Sequence, residues 1–288
     1  MENAPVSRTS RRKLQLSAKT ADPHILYENS VQGVESQLDM MERIFRNFRK
    51  RSFQTFREDF CGSAQLCCQW VQRSVDHWAW GIDLDESTLN WCRSNRMDQL
   101  GRSAERFMLI CKDVLHAETP PADVVCAFNF SFNVFKTRDT LLQYFQQVYD
   151  SLDNEGILFI DEFGGPRSHA NIVEKRKVKD GVTPNGDRLQ TFTYIWEQVD
   201  YNPINHHLTC HIHFKFKDGT RFNKAFTYHW RLWTIPELRE LLEEAGFKNT
   251  EVYLQGWDHN NNEPDGVFRK RVRYDDWESW YGYIAAIK

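Results

Sequence analysis

The sequence is short of most features that assign a chain to a class at sight. No run among its 288 residues approaches the roughly 18 consecutive apolar residues that a bilayer-spanning helix needs. The N-terminal stretch has no apolar core of the kind a secretory signal carries. Basic residues are not in excess: 37 Lys and Arg stand against 40 Asp and Glu, for a formal net charge of −3. A nucleic-acid-binding domain usually shows a basic surplus, so a polyanion partner is not favoured. The seven cysteines (61, 67, 68, 92, 111, 126 and 210) form no C-x-x-C pair and no secreted framework. They fall mostly within predicted strands and helices, which reads as reduced thiols in a reducing compartment, and a cytoplasmic location is expected. The glycine-rich G-x-G-x-x-G turn that a dinucleotide's pyrophosphate requires is absent as well.

What is present centres on Arg57 to Cys92. Phe53 to Phe56 is a short strand-like run, and Cys61-Gly62-Ser63-Ala64 is a tight turn of small residues. Ala64, Cys67, Cys68 and Val71 then recur at i, i+3, i+4 and i+7, one face of a helix. The pattern repeats: Trp78 to Ile82 is a strand ending at Asp83, and Asp85 caps a helix through Leu89 and Cys92. A glycine turn between strand and helix lets a ligand approach the backbone, and the helix start offers unpaired N–H groups. An acid at the end of the next strand, Asp83, suits a carboxylate accepting from the two hydroxyls of a ribose. The unit therefore predicts nucleoside binding.

At these residues the chain resembles the class I S-adenosylmethionine-dependent methyltransferases. The family's first motif sets an acid, two further residues and then a small-residue turn; here the register gives Glu58, Asp59, Phe60, then Cys61 to Ala64. Phe60 and Ala64 stand where the family usually has glycine or alanine, and glycine. The resemblance implies S-adenosylmethionine as cofactor, with Cys61, Gly62 and Leu84 beside Glu58 and Asp83 among its contacts. It also implies that Asp113, just after a third strand Phe107 to Cys111, accepts from the adenine amino group, with Val114 packing on the ring. An N-terminal segment of such enzymes folds over the cofactor, making Tyr27 and Gln32 lid candidates. Arg57 has two open readings, a two-point pair with the cofactor's carboxylate or a surface salt bridge to a neighbouring acid. The fourth strand, Ala122 to Phe128, is continuously apolar, as a strand buried on both faces should be. It runs into Asn129-Phe130-Ser131-Phe132-Asn133, the family's position beside the transferred methyl. That sequence is neither N-P-P-Y nor D-P-P-Y, which speaks against methylation of nucleic-acid bases.

The remaining chain follows in order. Residues 1–22 are Ser-rich and basic, read as a disordered tail with a transit peptide as the alternative. Asp22 to Lys50 is predicted helical, with Leu38, Met41, Ile44, Phe45 and Phe48 as its apolar stripe. Thr140 to Leu152 is a further helix, Asp153 to Gly156 a turn, and Ile157 to Ile160 a fifth strand ending in Asp161-Glu162. Ligands of open α/β sheets lie beyond the strands' carboxyl ends, so Asp161 and Glu162, with Asn129, are substrate-orienting candidates; a loop-capping role is the alternative. Three alternating segments, Thr191 to Val199, His207 to Phe216 and Arg221 to Trp230, predict an antiparallel insertion. His211 and His213 share one face there without a third ligand at metal spacing, so they are read as structural and no metal is expected. Aromatics of that region, Trp196, Tyr228, Trp230 and Trp233, are candidate walls for a site or simply core. Thr234 to Glu237 is a capping box, and Gly246 ends the helix it opens. Glu251 to Leu254 is the sixth strand, residues 256–278 a charged loop, and Tyr281 to Ile287 the closing strand.

The expected architecture is thus α/β: a Rossmann-like, seven-stranded, mostly parallel sheet with an antiparallel insertion after the fifth strand. One domain is expected over 23–288, with a helical lid at 23–50 and the insertion at about 188–230. The expected function is methyl transfer to an N, O or S atom of a small-molecule acceptor. A protein or RNA methyltransferase docking through loop 256–278, and a non-catalytic cofactor-binding module, are the alternatives. Oligomeric state is not legible in the sequence.

Overall fold

In the computed structural model, residues 13–258, 263–275 and 278–288 are described. The chain divides into two compact units. The first comprises the described residues up to Gln32 together with Val173–Glu197 and His211–Thr227; the second is Gly33–Ile172, Gln198–Cys210 and Tyr228–Lys288. The helical segment expected over 22–50 is divided between these units.

In chain order the elements begin with β1 (Lys13–Leu14), α1 (Pro23–Val31), α2 (Val34–Arg49) and β2 (Thr55–Asp59). Then come α3 (Gln65–Arg73), β3 (Trp78–Asp83), α4 (Glu86–Asn95), β4 (Phe107–Cys111), β5 (Ala122–Ala127), α5 (Arg138–Ser151) and β6 (Leu152–Gly164). The insertion contributes β7 (Ile172–Val178), β8 (Arg188–Leu189), β9 (Phe192–Asn202), β10 (His207–Lys215) and β11 (Arg221–Arg231). The chain closes with α6 (Ile235–Glu244), β12 (Asn249–Asp258), β13 (Glu263–Lys270) and β14 (Trp280–Ile287).

The second unit is built on an eight-stranded sheet of order β13-β12-β14-β6-β5-β2-β3-β4. β6, β5, β2, β3 and β4 run parallel, while β14 is antiparallel to β6 and to β12, and β13 is antiparallel to β12. The seven anticipated strands are present, and the eighth, β13, lies in the stretch read as a loop. Its sequence, E-P-D-G-V-F-R-K, carries Pro and Gly and little alternation, so no strand signal marks it. Every residue of β5 is buried. Its alternate side chains serve opposite faces: Val124 and Cys126 join a core with Leu38, Phe45 and Trp70, whereas Val125 and Ala127 join one with Phe145, Leu241 and Leu242. β6 begins at Leu152, because the residues read as a turn, Asp153 to Gly156, already extend. β2 starts two residues and ends three residues later than the run Phe53 to Phe56, so Arg57, Glu58 and Asp59 are strand residues with buried side chains.

α6 opens on the anticipated capping box: Thr234 Oγ1 accepts from Glu237 N, and the Glu237 carboxylate accepts from Thr234 N at 2.8 Å. The N-terminal helix breaks at Gln32-Gly33, where the chain extends between α1 and α2. The expected tail over 1–22 falls outside the described residues up to position 12. From Lys13 the chain is paired rather than free: Lys13 and Leu14 run parallel to Arg188 and Leu189, and Leu16 is buried.

In the first unit, Asn29 spans between elements, donating to Ile25 O and Val182 O and accepting from Val182 N. His213 Nδ1 accepts from Lys224 N at 3.1 Å, which leaves Nε2 to donate to Glu197 Oε2 at 3.0 Å. His211 Nδ1 meets Thr227 Oγ1 at 2.9 Å. Both histidines thus serve hydrogen bonds within their sheet, whose strand order is β11-β10-β9-β7. β7 is the strand that sequence alternation does not reveal, since V-E-K-R-K offers four consecutive charged residues.

Candidate functional site at the carboxyl ends of the parallel strands

β2 has β3 on one side and β5 on the other, so the chain reverses its direction of travel across the sheet at β2. The crevice beyond the carboxyl ends at such a switch point is where open α/β sheets bind ligands. Phe60 to Ala64 turns the chain there. Phe60, Gly62 and Ala64 all hold left-handed backbone, at φ 56°, 53° and 52°. Phe60 and Ala64 occupy the places where the resemblance leads one to expect glycine or alanine, and glycine, and they keep a left-handed geometry without glycine. For L-residues that conformation costs about 1–2 kcal/mol each. Packing holds it: Ala64 is fully buried, and the Phe60 ring lies 5.9 Å from those of Phe135 and Tyr144. At Gly62 a Cβ would meet nothing within 4 Å, so the backbone there faces open space.

Asp83 closes the turn onto β3. Its Oδ2 accepts from Gly62 N at 2.8 Å and its Oδ1 from Asp85 N at 2.9 Å. Each carboxylate oxygen retains a second lone pair. Asp85 is the cap of α4, accepting from Ser87 N at 2.9 Å and Thr88 N at 3.4 Å. Between them Leu84 stands 67% exposed, a large apolar side chain at the crevice surface. On the third strand's loop, Val114 is buried, and Asp113 Oδ1 accepts from Leu115 N at 3.0 Å.

Glu58 faces inward. It accepts from Cys67 N at 3.3 Å, in the first turn of α3, a helix with no cap from its own N-cap residue Ala64. Burial pushes the carboxyl up to about 8, against the lowering effect of that hydrogen bond. Arg57 departs from both of its sequence readings. It is completely buried, and its two-point pair is made with Asp59, at 2.7 Å from Nε and 3.3 Å from Nη2. Tyr144 of α5 donates to Asp59 Oδ2 at 2.9 Å. The guanidinium thus faces the core of its own strand, because Arg57 and Asp59 lie two apart on one face of β2.

Asn129 and Phe130, beyond β5, form a second left-handed turn at φ 58° and 59°. Asp161 on β6 holds it: Oδ2 accepts from Asn129 N at 3.0 Å and Oδ1 from Phe130 N at 2.8 Å. Asp161 is 1% exposed and is raised to about 7 by burial. Tyr281 adds a longer hydrogen bond to it, at 3.4 Å, and meets Tyr283 Oη at 2.5 Å. Asp161 is therefore occupied with positioning the turn. Glu162 points to the other face, where Oε1 accepts from Asn133 Nδ2 at 3.2 Å and Phe163 N at 2.9 Å. Its Oε2 is buried without a partner among the described residues, and desolvation raises it well above the ordinary range. The structure so joins Gly62 with Asp83 and Asn129 with Asp161, and keeps Arg57, Glu58 and Glu162 under the surface. Tyr27 belongs to the first unit, where its ring packs 5.0 Å from Phe226, and Gln32 follows α1 as its C-cap.

Tyr144 is the participant that sequence reasoning passes over, and a hydroxyl-bearing Tyr within the otherwise apolar face of α5 is the available signal for it. Asn133 lies in the segment that the sequence marks, but its pairing with Glu162 does not show there.

No family model matches this chain, and no curated protein matches it. Solved structures match over nearly its full length. An amino pentose methyltransferase from Micromonospora echinaspora, solved with S-adenosylmethionine bound, aligns at a TM-score of 0.64 and 13% identity over 92% of this chain and 95% of its own. A sugar N-methyltransferase from Streptoalloteichus aligns at 0.60 and 14% identity over 98% of both chains. An S-adenosylmethionine-dependent methyltransferase from Clostridium acetobutylicum aligns at 0.59 and 15% identity over 90% of this chain and 95% of its own. The chain has the Rossmann-like fold of the S-adenosylmethionine-dependent methyltransferases.

Proposed function

We propose that this chain is an S-adenosylmethionine-dependent methyltransferase that acts on an N, O or S atom of a small molecule. The observation that carries the reading is the turn at Phe60 to Ala64, held in glycine-like backbone and tied through Gly62 N to Asp83. A strained turn persists where the surroundings over-determine it, and such strain concentrates at ligand sites. The residues fit the cofactor on the structure's own terms. The space over Gly62 accepts a close approach, Asp83 keeps lone pairs for ribose hydroxyls, and exposed Leu84 offers an apolar surface to an adenine ring. Cys61 and Gly62 would supply backbone contacts, with Asp113 and Val114 at the base. Asn129 completes the proposed set within the second unit, and Arg57 drops out of it because its side chain is completely buried and paired with Asp59.

S-Adenosylmethionine brings an activated methyl whose leaving group needs no strong acid. What remains for the protein is orientation and exclusion of water. Asp161 fixes the 129–130 turn, and Phe130 sits among aromatic rings, 4.7 Å from Phe163 and 5.7 Å from Tyr281. Such rings exclude water and favour cationic groups. The small-molecule class of acceptor is supported by the printed functions of the structural neighbours, an amino pentose and a sugar methyltransferase.

The test is a screen of metabolite pools, a total protein extract and total RNA, each incubated with the protein and S-adenosylmethionine. A mass gain of one methyl on a small molecule is expected. Methylation confined to protein or RNA would replace the acceptor class. Cofactor binding without turnover on any pool would make the chain a binding module.

A further inference from the structure

Within the second unit lies a cavity of about 520 Å³ that the cofactor residues do not line. Phe163, Leu232, Trp233, Ile235, Leu254 and Trp280 are the large apolar side chains of its wall. Of the polar side chains that reach it, Ser168 is spent on Gly165 O and Thr234 on the capping box of α6. Tyr274 also lines the cavity and has a partner of its own, so the side chains left to meet a ligand's polar atom are His169 and His206, whose rings are 6.3 Å apart. His169 is stacked on Tyr201 at 4.5 Å, and the ring nitrogens of both histidines are spent on no hydrogen bond among the described residues. The cavity adjoins the 129–130 turn through Phe163, whose ring packs on Phe130.

We infer that this cavity is the methyl-acceptor site, and that it takes a flat, apolar, ring-containing acceptor whose ionisable O–H or N–H meets His169 and His206. The inference rests on the methyltransferase reading and specifies its substrate class. The volume suits a small molecule, for which pockets run about 300–1,000 Å³ with a few placed polar groups. A sugar is a poorer occupant, because hydroxyls turned toward the apolar wall find few partners there. The acceptor class thus differs from those named for the structural neighbours. When the acceptor ionises, its O–H or N–H bond breaks, a ring nitrogen of His169 takes the proton, and the electron pair stays on the acceptor atom. Partial desolvation and the neighbouring His206 hold the exposed His169 below its usual value, which favours the neutral ring that accepts a proton.

The experiment is calorimetric titration with p-nitrophenol, with p-nitrotoluene as the isostere lacking the hydroxyl, and with glucosamine as the polyhydroxylated probe. The proteins are wild type, Leu232→Trp and Ile235→Trp, which fill the cavity from two positions, and His169→Gln/His206→Gln. A melt with S-adenosylhomocysteine accompanies each. Wild type should bind both nitro compounds and not glucosamine, and filling the cavity should raise both dissociation constants at least tenfold while the cofactor-induced melting shift persists. The double glutamine variant should keep p-nitrotoluene and lose the wild-type preference for p-nitrophenol. Unchanged affinity in both filled variants, or a cavity-dependent binding of glucosamine alone, overturns the acceptor site. A wild-type protein with no melting shift fails the methyltransferase reading itself, and the acceptor assignment with it.

Discussion

Phe60 and Ala64 show how one residue can keep a turn's geometry while dropping the residue type that makes it easy. At Ala64, glycine would relieve about 1–2 kcal/mol of left-handed strain. It would also lose a buried methyl, about 0.8 kcal/mol, and add freedom to the unfolded chain, about 0.4–1 kcal/mol. Ala64→Gly should therefore unfold in urea within about 1 kcal/mol of wild type. Ala64→Val adds a β-branched side chain to the same angle in a fully buried site and should cost several times more. Equal stabilities for the two would show that the turn relaxes out of the left-handed region. Asp83 and Asp85 give the second comparison at this scale. Asp83→Ala removes a charged acceptor at the crevice, a loss of about 1.5–3 kcal/mol, or roughly 10- to 100-fold in affinity for S-adenosylhomocysteine. Asp85→Ala removes the cap of α4, with about 1 kcal/mol of stability and no affinity at stake. Affinity lost in the second variant and kept in the first would move the nucleoside site off Asp83.

At the scale of elements, β2 concentrates the buried charge. Arg57, Glu58 and Asp59 are consecutive and none is more than 5% exposed. Removing one member of a buried pair strands the other, at about 3–5 kcal/mol. Arg57→Ala should lose that much in urea unfolding, and Arg57→Met/Asp59→Leu should recover most of it; a double variant no better than the single would mean the pair does more than neutralise itself. Glu58 and Asp161 give a pH dependence. Both are raised by burial, to about 8 from 4.5 and to about 7 from 3.8. A raised acid holds its proton more tightly in the folded state, so folding binds protons and stability falls as pH rises. The contribution is whole below about pH 4 and is lost by about pH 8. The urea midpoint should drop between pH 5 and 8.5, and less so in Glu58→Gln; an identical drop in that variant would place the titration elsewhere.

These elements also mark how far the sequence reads. The unbroken apolar run of β5, the capping box of α6 and the cap of α4 are local signals, and each forms where its residues indicate. Arg57 is different. An Arg beside two acids looks like a surface residue until β2 is known to extend through Asp59 and Tyr144 to arrive from 85 positions away. Asp161 likewise reads either as a substrate-orienting carboxyl or as a loop cap, and the sequence does not choose, because its partners are the backbone of a turn 31 and 32 residues earlier. β7 and β13 escaped because charge, Pro and Gly hide the alternation, and pairing across the sheet decides them instead.

For the whole molecule, the eight-stranded sheet supplies the fold and the crevice at its switch point, and the account stands on what that crevice binds. Full-length similarity at 13–15% identity establishes the fold; the ligand is a matter for measurement. The most direct measurement is the melting temperature with S-adenosylhomocysteine and, separately, with NAD. At about 100 times the dissociation constant, a ligand binding only the folded state stabilises it by about 2.7 kcal/mol, roughly 5–10 °C at about 2–4 °C per kcal/mol for a chain of this size. A shift of that order with S-adenosylhomocysteine and none with NAD is expected. No shift at millimolar S-adenosylhomocysteine, with a shift from NAD in its place, would contradict the site built on Gly62 and Asp83.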